Sequence, residues 1–286
     1  MDSAQHSPII LSKYQTNPIL KAYQEGKTTA PTSFDLGVST SEAILTPSGL
    51  LLPTGECLDW NTIETISSDE NTCFAVEDGE PIPIKAFSTL TGRAVSLYPT
   101  PSAPTMLVGG FPMHRIKDTD PYRDTLAKIR AAAPIRGCVL DTATGLGYTA
   151  IEAARTADEV ITIELDPAAQ EIARQNPWSR TLFTHPKIHR IIGDSCEEIE
   201  NFDDESFSLI LHDPPVLSLA GELYSLAFYR KACRVLNRSG RMFHYIGNPH
   251  SKSGAATTKG VVRRLKEAGF GRIIPKPEAF GVLALK

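Results

Sequence analysis

Four carboxylates recur at one kind of position in this chain, each just after a short apolar run: Asp141 in CVLD, Glu164 in VITIE, Asp194 after IIG and Asp213 after LILH. A carboxylate offers a charge and lone pairs that accept hydrogen bonds. In DTATGLGYTAIEAA, Gly145 follows Asp141 by four residues and Gly147 comes two later, so the backbone can turn tightly and approach a ligand at the start of a helix. The hydroxyls of Thr142, Thr144 and Thr149 lie in the same stretch and are expected to donate to that ligand. Glu164, 17 residues past Gly147, can accept from both hydroxyls of a ribose, with Leu165 next to it. Asp194 can accept from an adenine amino group, with Ser195 beside it. At the fourth position the run is HDPPVLSLAGELYS: the prolines fix φ and remove backbone donors, which leaves carbonyls and the Asp213 carboxylate as acceptors for a transferable proton or amine.

Such residues work together only if the fold brings them to one edge. From DTDPYRDTLAKIRAAAP onward, apolar strands alternate with helices: GCVLDT, EVITIEL, IHRII, SLILHD and RMFHYIG are strands, VVRRLKEAGF is a helix, and GRIIP and FGVLALK form a terminal hairpin. This order predicts an α/β fold, a doubly wound Rossmann-like sheet of seven strands, mostly parallel because parallel neighbours need helical crossovers. Ligands of such sheets bind outside the carboxyl ends of the strands, where the four acids fall. Acid after three successive strands suits an adenosine with a free ammonium and would repel a pyrophosphate. S-adenosyl-L-methionine is therefore the expected ligand, and a nicotinamide dinucleotide, whose GxGxxG/A pattern GLGYTA also fits, is the alternative.

Ahead of the sheet the texture differs. Residues 1–33 read as a polar segment with one helical stretch, KYQTNPILKAYQ, and a linker, TTAPTS; residues 34–118 read as a small β-rich domain of short runs such as TCFAVE, RAVSLYPT and PTMLVGG, with a helix after Asp59; residues 119–286 are the expected ligand-binding catalytic domain. At 286 residues, 41% hydrophobic and 22% charged, the composition is that of a globular protein of more than one packed unit. No apolar run approaches the roughly 18 residues a membrane helix needs, and the start lacks a basic segment leading into a long apolar one, so a cytoplasmic location away from membranes is expected. The five cysteines are scattered without CxxC spacing, which points to neither a disulfide framework nor a metal site. Charge is uneven: residues 1–225 carry 16 Lys/Arg against 31 Asp/Glu, a net −15, and the last 61 carry 13 against two, a net +11. A basic face of that kind can meet RNA, but a solvated helix face is the expectation, and RNA is not the favoured partner.

The motifs PTMLVGGFPMHRIKDTDP, LDTATGLGYTAIEAA, ELDP, NPWSR, HDPP, SLAGELYS and HYIGNP resemble a family described as predicted archaeal methyltransferases, from about Ala30 to the end of the chain. The layout is also similar to that of spermidine synthases, in the N-terminal β unit, the MLVGGFPMHR segment and the D-P followed by LYS and FYR. The resemblance implies a class I S-adenosylmethionine-dependent methyltransferase, with Asp141 near the ammonium of the methionine moiety. D-P-P resembles the [D/N]PP[Y/F/W] motif of methyltransferases that act on exocyclic amines, with Val216 where the aromatic would stand. The aminopropyltransferases carry an acid within the first glycine loop to hold decarboxylated S-adenosylmethionine, and TATGLGYT has none. The expected partner is thus an amine-bearing acceptor, a small molecule or a nucleobase, oriented by Asp213. His114, with Arg115 beside it, Tyr224 and Tyr245 are candidates to wall the acceptor, and Trp178, Leu217 and Phe228 are divided between wall and core. His212 and His244 are expected to be packed. Aminopropyl transfer, 3-amino-3-carboxypropyl transfer and RNA modification stand as alternatives, and self-association into a homo-oligomer is left open.

Overall fold

The computed structural model describes residues 8–249 and 251–286. Two compact units divide them: one takes the chain up to Tyr122 together with Glu171–Arg180, the other Arg123–Gln170 and Thr181–Lys286.

The first unit is built from three small antiparallel sheets and two helices. The helix Lys13–Gln24 starts at a capping box in which Ser12 and Gln15 satisfy each other's end of the first turn, and Asp59 caps the helix Trp60–Ser68 through Thr62 N at 2.8 Å. Their inner faces, Ile19, Ala22, Ile63 and Ile66, close over Leu45, Leu50 and Leu58 of a four-stranded sheet. The stretch expected to be a linker is part of that sheet. Thr29–Thr32 pairs antiparallel with Ser41–Thr46 and buries Ala30. It is the sheet's edge strand, where Pro31 can sit without costing a ladder hydrogen bond.

The second unit is one seven-stranded sheet: β1 (Cys138–Asp141), β2 (Glu159–Glu164), β3 (Ile188–Ile192), β4 (Phe207–His212), β5 (Leu236–Tyr245), β6 (Arg272–Lys276) and β7 (Gly281–Leu285), in the order β3-β2-β1-β4-β5-β7-β6. The first five run parallel and β7 is antiparallel to both its neighbours. This is the doubly wound α/β sheet with a terminal hairpin that the strand pattern implies. The helices from here on are α1 (Pro121–Ala132), α2 (Tyr148–Ala154), α3 (Pro167–Gln175), α4 (Arg180–Thr184), α5 (Ser195–Glu198), α6 (Leu226–Val235) and α7 (Lys252–Glu267), of which α3 has its second half in the first unit. Apolar residues of β1, β4 and β5 (Leu140, Ile210, Met242) pack against Phe228 and Ala232 of α6 and Val261 and Leu265 of α7. Strand order reverses between β1 and β4, so the crevice for a ligand opens at the end of β1.

Part of the charge imbalance is settled within this unit. Arg234 meets Asp204 at 2.7 Å, Arg238 lies 3.6 Å from Glu205, and Lys231 pairs with Glu200, so basic side chains of the last quarter of the chain answer the acidic run before β4. Among the described residues no helix is long and apolar enough to cross a membrane, and no group of three or more metal-ligating side chains gathers.

Candidate functional site

The four acids end up at the carboxyl ends of β1 to β4, as the alternation of strands and helices requires. Asp141 closes β1 and is completely buried. Thr149 and Thr162 each donate to its Oδ2 at 3.1 Å. Because Thr162 gives its proton to Asp141, the 2.6 Å contact between Thr144 and Thr162 is donated by Thr144, which makes a relay of hydroxyls ending on the carboxylate. Oδ1 is buried and receives no hydrogen bond of ordinary distance and angle, the nearby backbone amide of Ala143 giving the carboxylate only slight support. Burial, with a smaller contribution from the charge of Asp213, raises the Asp141 carboxyl from 3.8 to about 7, so it takes on charge reluctantly and would gain from a cation. The threonines expected to face the ligand are therefore engaged within the protein. Thr149 and Thr144 support Asp141, and Thr142 Oγ1 lies 2.6 Å from His212 Nδ1.

The glycine loop is shaped by packing as well as by the turn. Gly145 has φ 52° and Gly147 φ 76°, both in the left-handed region. A Cβ on Gly147 would come within 2.6 Å of the Leu182 side chain in α4, so a larger residue there would have to displace it as well as adopt a left-handed backbone. Gly145 N donates to Glu164 Oε2 at 2.8 Å and Asp166 N to Oε1 at 3.0 Å, which fixes the Glu164 carboxylate at the end of β2. Burial raises its pKa too. Leu165, next in the chain, is 47% exposed, an apolar surface beside that acid.

At the end of β3, Asp194 caps α5 through Cys196 N at 2.7 Å. Ser195 donates to the carbonyl of Thr142 at 2.7 Å, and Gly193 N donates to that of Glu164 at 2.9 Å, so the first three strand ends are laced together. The helix-cap role thus falls on the residue expected from the sequence to meet a ligand.

Asp213 follows β4 and is held differently. Lys128 of α1 places Nζ 2.6 Å from Asp213 Oδ2 and 2.9 Å from Asp124 Oδ2, and lies over the Tyr245 ring at 4.7 Å from its centroid. Burial works against the ammonium, but the charges of Asp213 and Asp124 outweigh it and hold the Lys128 pKa above its ordinary value. Lys128 is absent from the residues singled out by the sequence. Its only signal there is the i,i+4 spacing from Asp124, which reads as a surface ion pair.

Tyr224 is buried, and its hydroxyl donates to the carbonyl of Pro215 at 3.1 Å. It therefore braces the D-P-P turn and occupies one of the carbonyls left by the prolines. Burial, and then the nearby charge of Asp213, push its pKa up. Phe228 is core, stacked on His212 with ring centroids 4.8 Å apart. Burial lowers His212 to about 4, so it is neutral at pH 7. Its Nε2 faces the carbonyl of Leu223 at 2.9 Å and must carry the hydrogen, which leaves Nδ1 to accept from Thr142. A buried imidazole thus joins Thr142, ahead of the glycine loop, to the segment following D-P-P. His244, also fully buried, meets the Tyr229 hydroxyl at 2.8 Å. Val216 and Leu217, 50% and 44% exposed, follow Asp213 and its prolines in the loop.

His114 and Trp178 belong to the other unit. The His114 ring lies 3.0 Å from the Thr105 hydroxyl, and Trp178 Nε1 donates to the carbonyl of Leu36 at 3.0 Å.

The model of a family described as conserved hypothetical protein 95 matches residues 118–239. An uncharacterized protein of Methanocaldococcus jannaschii, MJ1233, is 45% identical over 236 residues, 82% of this chain and 80% of that one. A polyamine aminopropyltransferase of Mycobacterium tuberculosis is 30% identical over 122 residues, 40% of this chain and 22% of its own. Among solved structures, a spermidine synthase in complex with the transition-state analogue AdoDATO superposes with a TM-score of 0.57 at 16% identity, over 70% of this chain and 71% of the other, a likeness of fold. The chain therefore belongs to the family of the archaeal protein MJ1233, and its fold is like that of the spermidine synthase.

Proposed function

We propose that this chain is an S-adenosylmethionine-dependent methyltransferase acting on the nitrogen of an amine-bearing acceptor, with residues 119–286 as its catalytic domain. The observation that carries the reading is the buried Oδ1 of Asp141, which receives no hydrogen bond of ordinary geometry, at the end of β1 beside a glycine loop that adds no further acid. A buried acceptor without a donor is costly, and the ammonium of S-adenosylmethionine would supply both donor and charge. Glu164 would take the ribose hydroxyls and Asp194 the adenine amino group, each already oriented by backbone amides. With Thr142, Thr144 and Thr149 engaged, the carboxylate of the ligand is left to backbone amides of the loop. The bound ligand supplies a methyl carbon activated by sulfonium. The chain's own work is to place the acceptor nitrogen in line and accept its hydrogen bond at Asp213. As nitrogen forms its bond to carbon, the sulfur–carbon bond breaks, sulfur keeps the pair as a thioether, and the proton shed by nitrogen passes to Asp213 or solvent.

Aminopropyl transfer, the activity named for the mycobacterial relative, differs in needing a ligand without a carboxylate. An acid in the glycine loop would favour that ligand by repelling a carboxylate, and none lies between Asp141 and Glu152. S-adenosylhomocysteine is therefore expected to bind at least tenfold tighter than its decarboxylated analogue, a difference of about 1.4 kcal/mol, in competitive titration calorimetry. Preference for the decarboxylated analogue would replace methyl transfer by aminopropyl transfer. Mass spectrometry of the product should show one methyl gained per acceptor nitrogen, and a gain of the mass of an amino-carboxypropyl group would name the third chemistry.

A further inference from the structure

The cation position at Asp213 is filled by the protein itself. Lys128 Nζ sits 2.6 Å from Asp213 Oδ2, and the side chain is 2% exposed. Asp124, on the far side of the pair from solvent, is completely buried, whereas Asp213 is 16% exposed; what the acceptor end presents is a carboxylate with its counter-ion already in place. Lys128 is itself a primary alkylammonium, and in contact with Asp213 it stays protonated despite its burial. Any other alkylammonium brought to this carboxylate would meet a resident positive charge, and Asp213 would leave its proton on. Its lone pair would then be unavailable for attack: at pH 7 an alkylamine of pKa about 10.4 is uncharged in roughly one molecule in 2,500. An amine that is uncharged to begin with meets neither obstacle. The exposed side chains that follow in the loop, Val216 and Leu217, are apolar and offer no charge to a cationic chain.

We propose that Lys128 is a specificity-determining positioning residue: by occupying the cation position at Asp213 it makes the acceptor end select uncharged amines and turn away alkylammonium ions such as diamines and polyamines. The inference rests on the transferase reading of the site, and on Asp213 as the group that receives the acceptor.

The test uses the full chain saturated with S-adenosylhomocysteine and titrated calorimetrically with 1,4-diaminobutane and with spermidine at low salt. The wild-type complex should show no saturable binding at about 1 mM, a range that corresponds to weak recognition. Substituting Lys128→Met together with Asp124→Asn, which avoids stranding a second buried charge, should create diamine binding at least about tenfold tighter than wild type. Adding Asp213→Asn should abolish that gain, and Lys128→Arg, which keeps the charge, should bind no diamine. A lysine that served only packing would shift thermal stability in these variants without opening a diamine site. Saturable diamine binding to the wild-type complex that Asp213→Asn removes would overturn the proposal, and this measurement needs no altered lysine to fold. Failure of the wild-type chain to bind S-adenosylhomocysteine would instead count against the transferase reading itself.

Discussion

Asp141 and Asp213 are both taken out of water, and the protein treats them in opposite ways. Around Asp141 it places hydroxyls, leaves Oδ1 without a hydrogen bond of ordinary geometry, and so leaves the carboxyl raised to about 7. Beside Asp213 it places a full ammonium ion. The first arrangement is incomplete until something cationic arrives, and the second is complete already. On the proposed reading, the site is thereby divided into an end that would draw affinity from a charged ligand and an end whose charge is settled before any acceptor enters.

The largest effect should come from breaking the finished end. Lys128→Ala takes from Asp124 and Asp213 the buried ammonium they share and should cost about 3–5 kcal/mol of unfolding free energy in a urea titration. A loss under about 1 kcal/mol would mean that water compensates both acids, and the contrast with Asp141 would disappear.

The unfinished end should respond to its ligand and to pH. Asp141→Asn should weaken S-adenosylhomocysteine binding by about 1.5–3 kcal/mol, the range for hydrogen bonds to charged groups. In the wild type, affinity should rise as pH is raised through about 7, where Asp141 ionises and can pair with the ammonium, and the variant should show a flatter profile. Stability of the ligand-free chain should move the other way. The folded carboxyl holds its proton up to about 7 against an ordinary 3.8, so its contribution is whole below 3.8 and is lost as pH rises through 7. Affinity independent of pH between 5.5 and 8 would detach Asp141 from the ligand.

The smallest effects belong to the surface. Arg238→Ala should change stability by no more than about 0.5 kcal/mol, because the side chain is 92% exposed in its pair with Glu205. With several basic residues already answered by acids, bulk tRNA should bind only weakly at physiological salt. Micromolar affinity falling steeply with added salt would revive RNA modification as the function.

The two ends also differ in how far they can be read from the chain. Asp141, Gly145, Gly147 and Glu164 lie within 24 residues of one another, and their spacing follows from one strand, one turn, one helix and the next strand. Local order was enough to place them at adjacent strand ends. The partners of the hydroxyls around them are not legible in the same way, because the contact of Thr144 with Thr162 depends on the register between β1 and β2, which no local pattern carries. Lys128 lies 85 residues from Asp213, on a helix where an acid–lysine pair is the ordinary dress of a wet face. The Thr29–Thr32 strand was hidden in the same way: a segment with Pro31 looks like a linker until its partner, Ser41–Thr46, is known.

The imidazole of His212 has a consequence for how such a site can diverge. One ring holds Thr142, ahead of the glycine loop, and the carbonyl of Leu223 beyond D-P-P, and the neighbouring Tyr224 hydroxyl holds Pro215. A change at Thr142 or His212 strands the other's hydrogen bond, so these positions can drift only as a set, and the ends of the acceptor loop drift with them. Between those ends, Val216–Leu219 bonds its backbone only locally, Leu219 N to the carbonyl of Val216 at 2.7 Å, and carries the loop's most exposed apolar side chains. If the loop receives the acceptor, as proposed, that short arc is where a substitution can reshape it without disturbing the hydrogen bonds on either side.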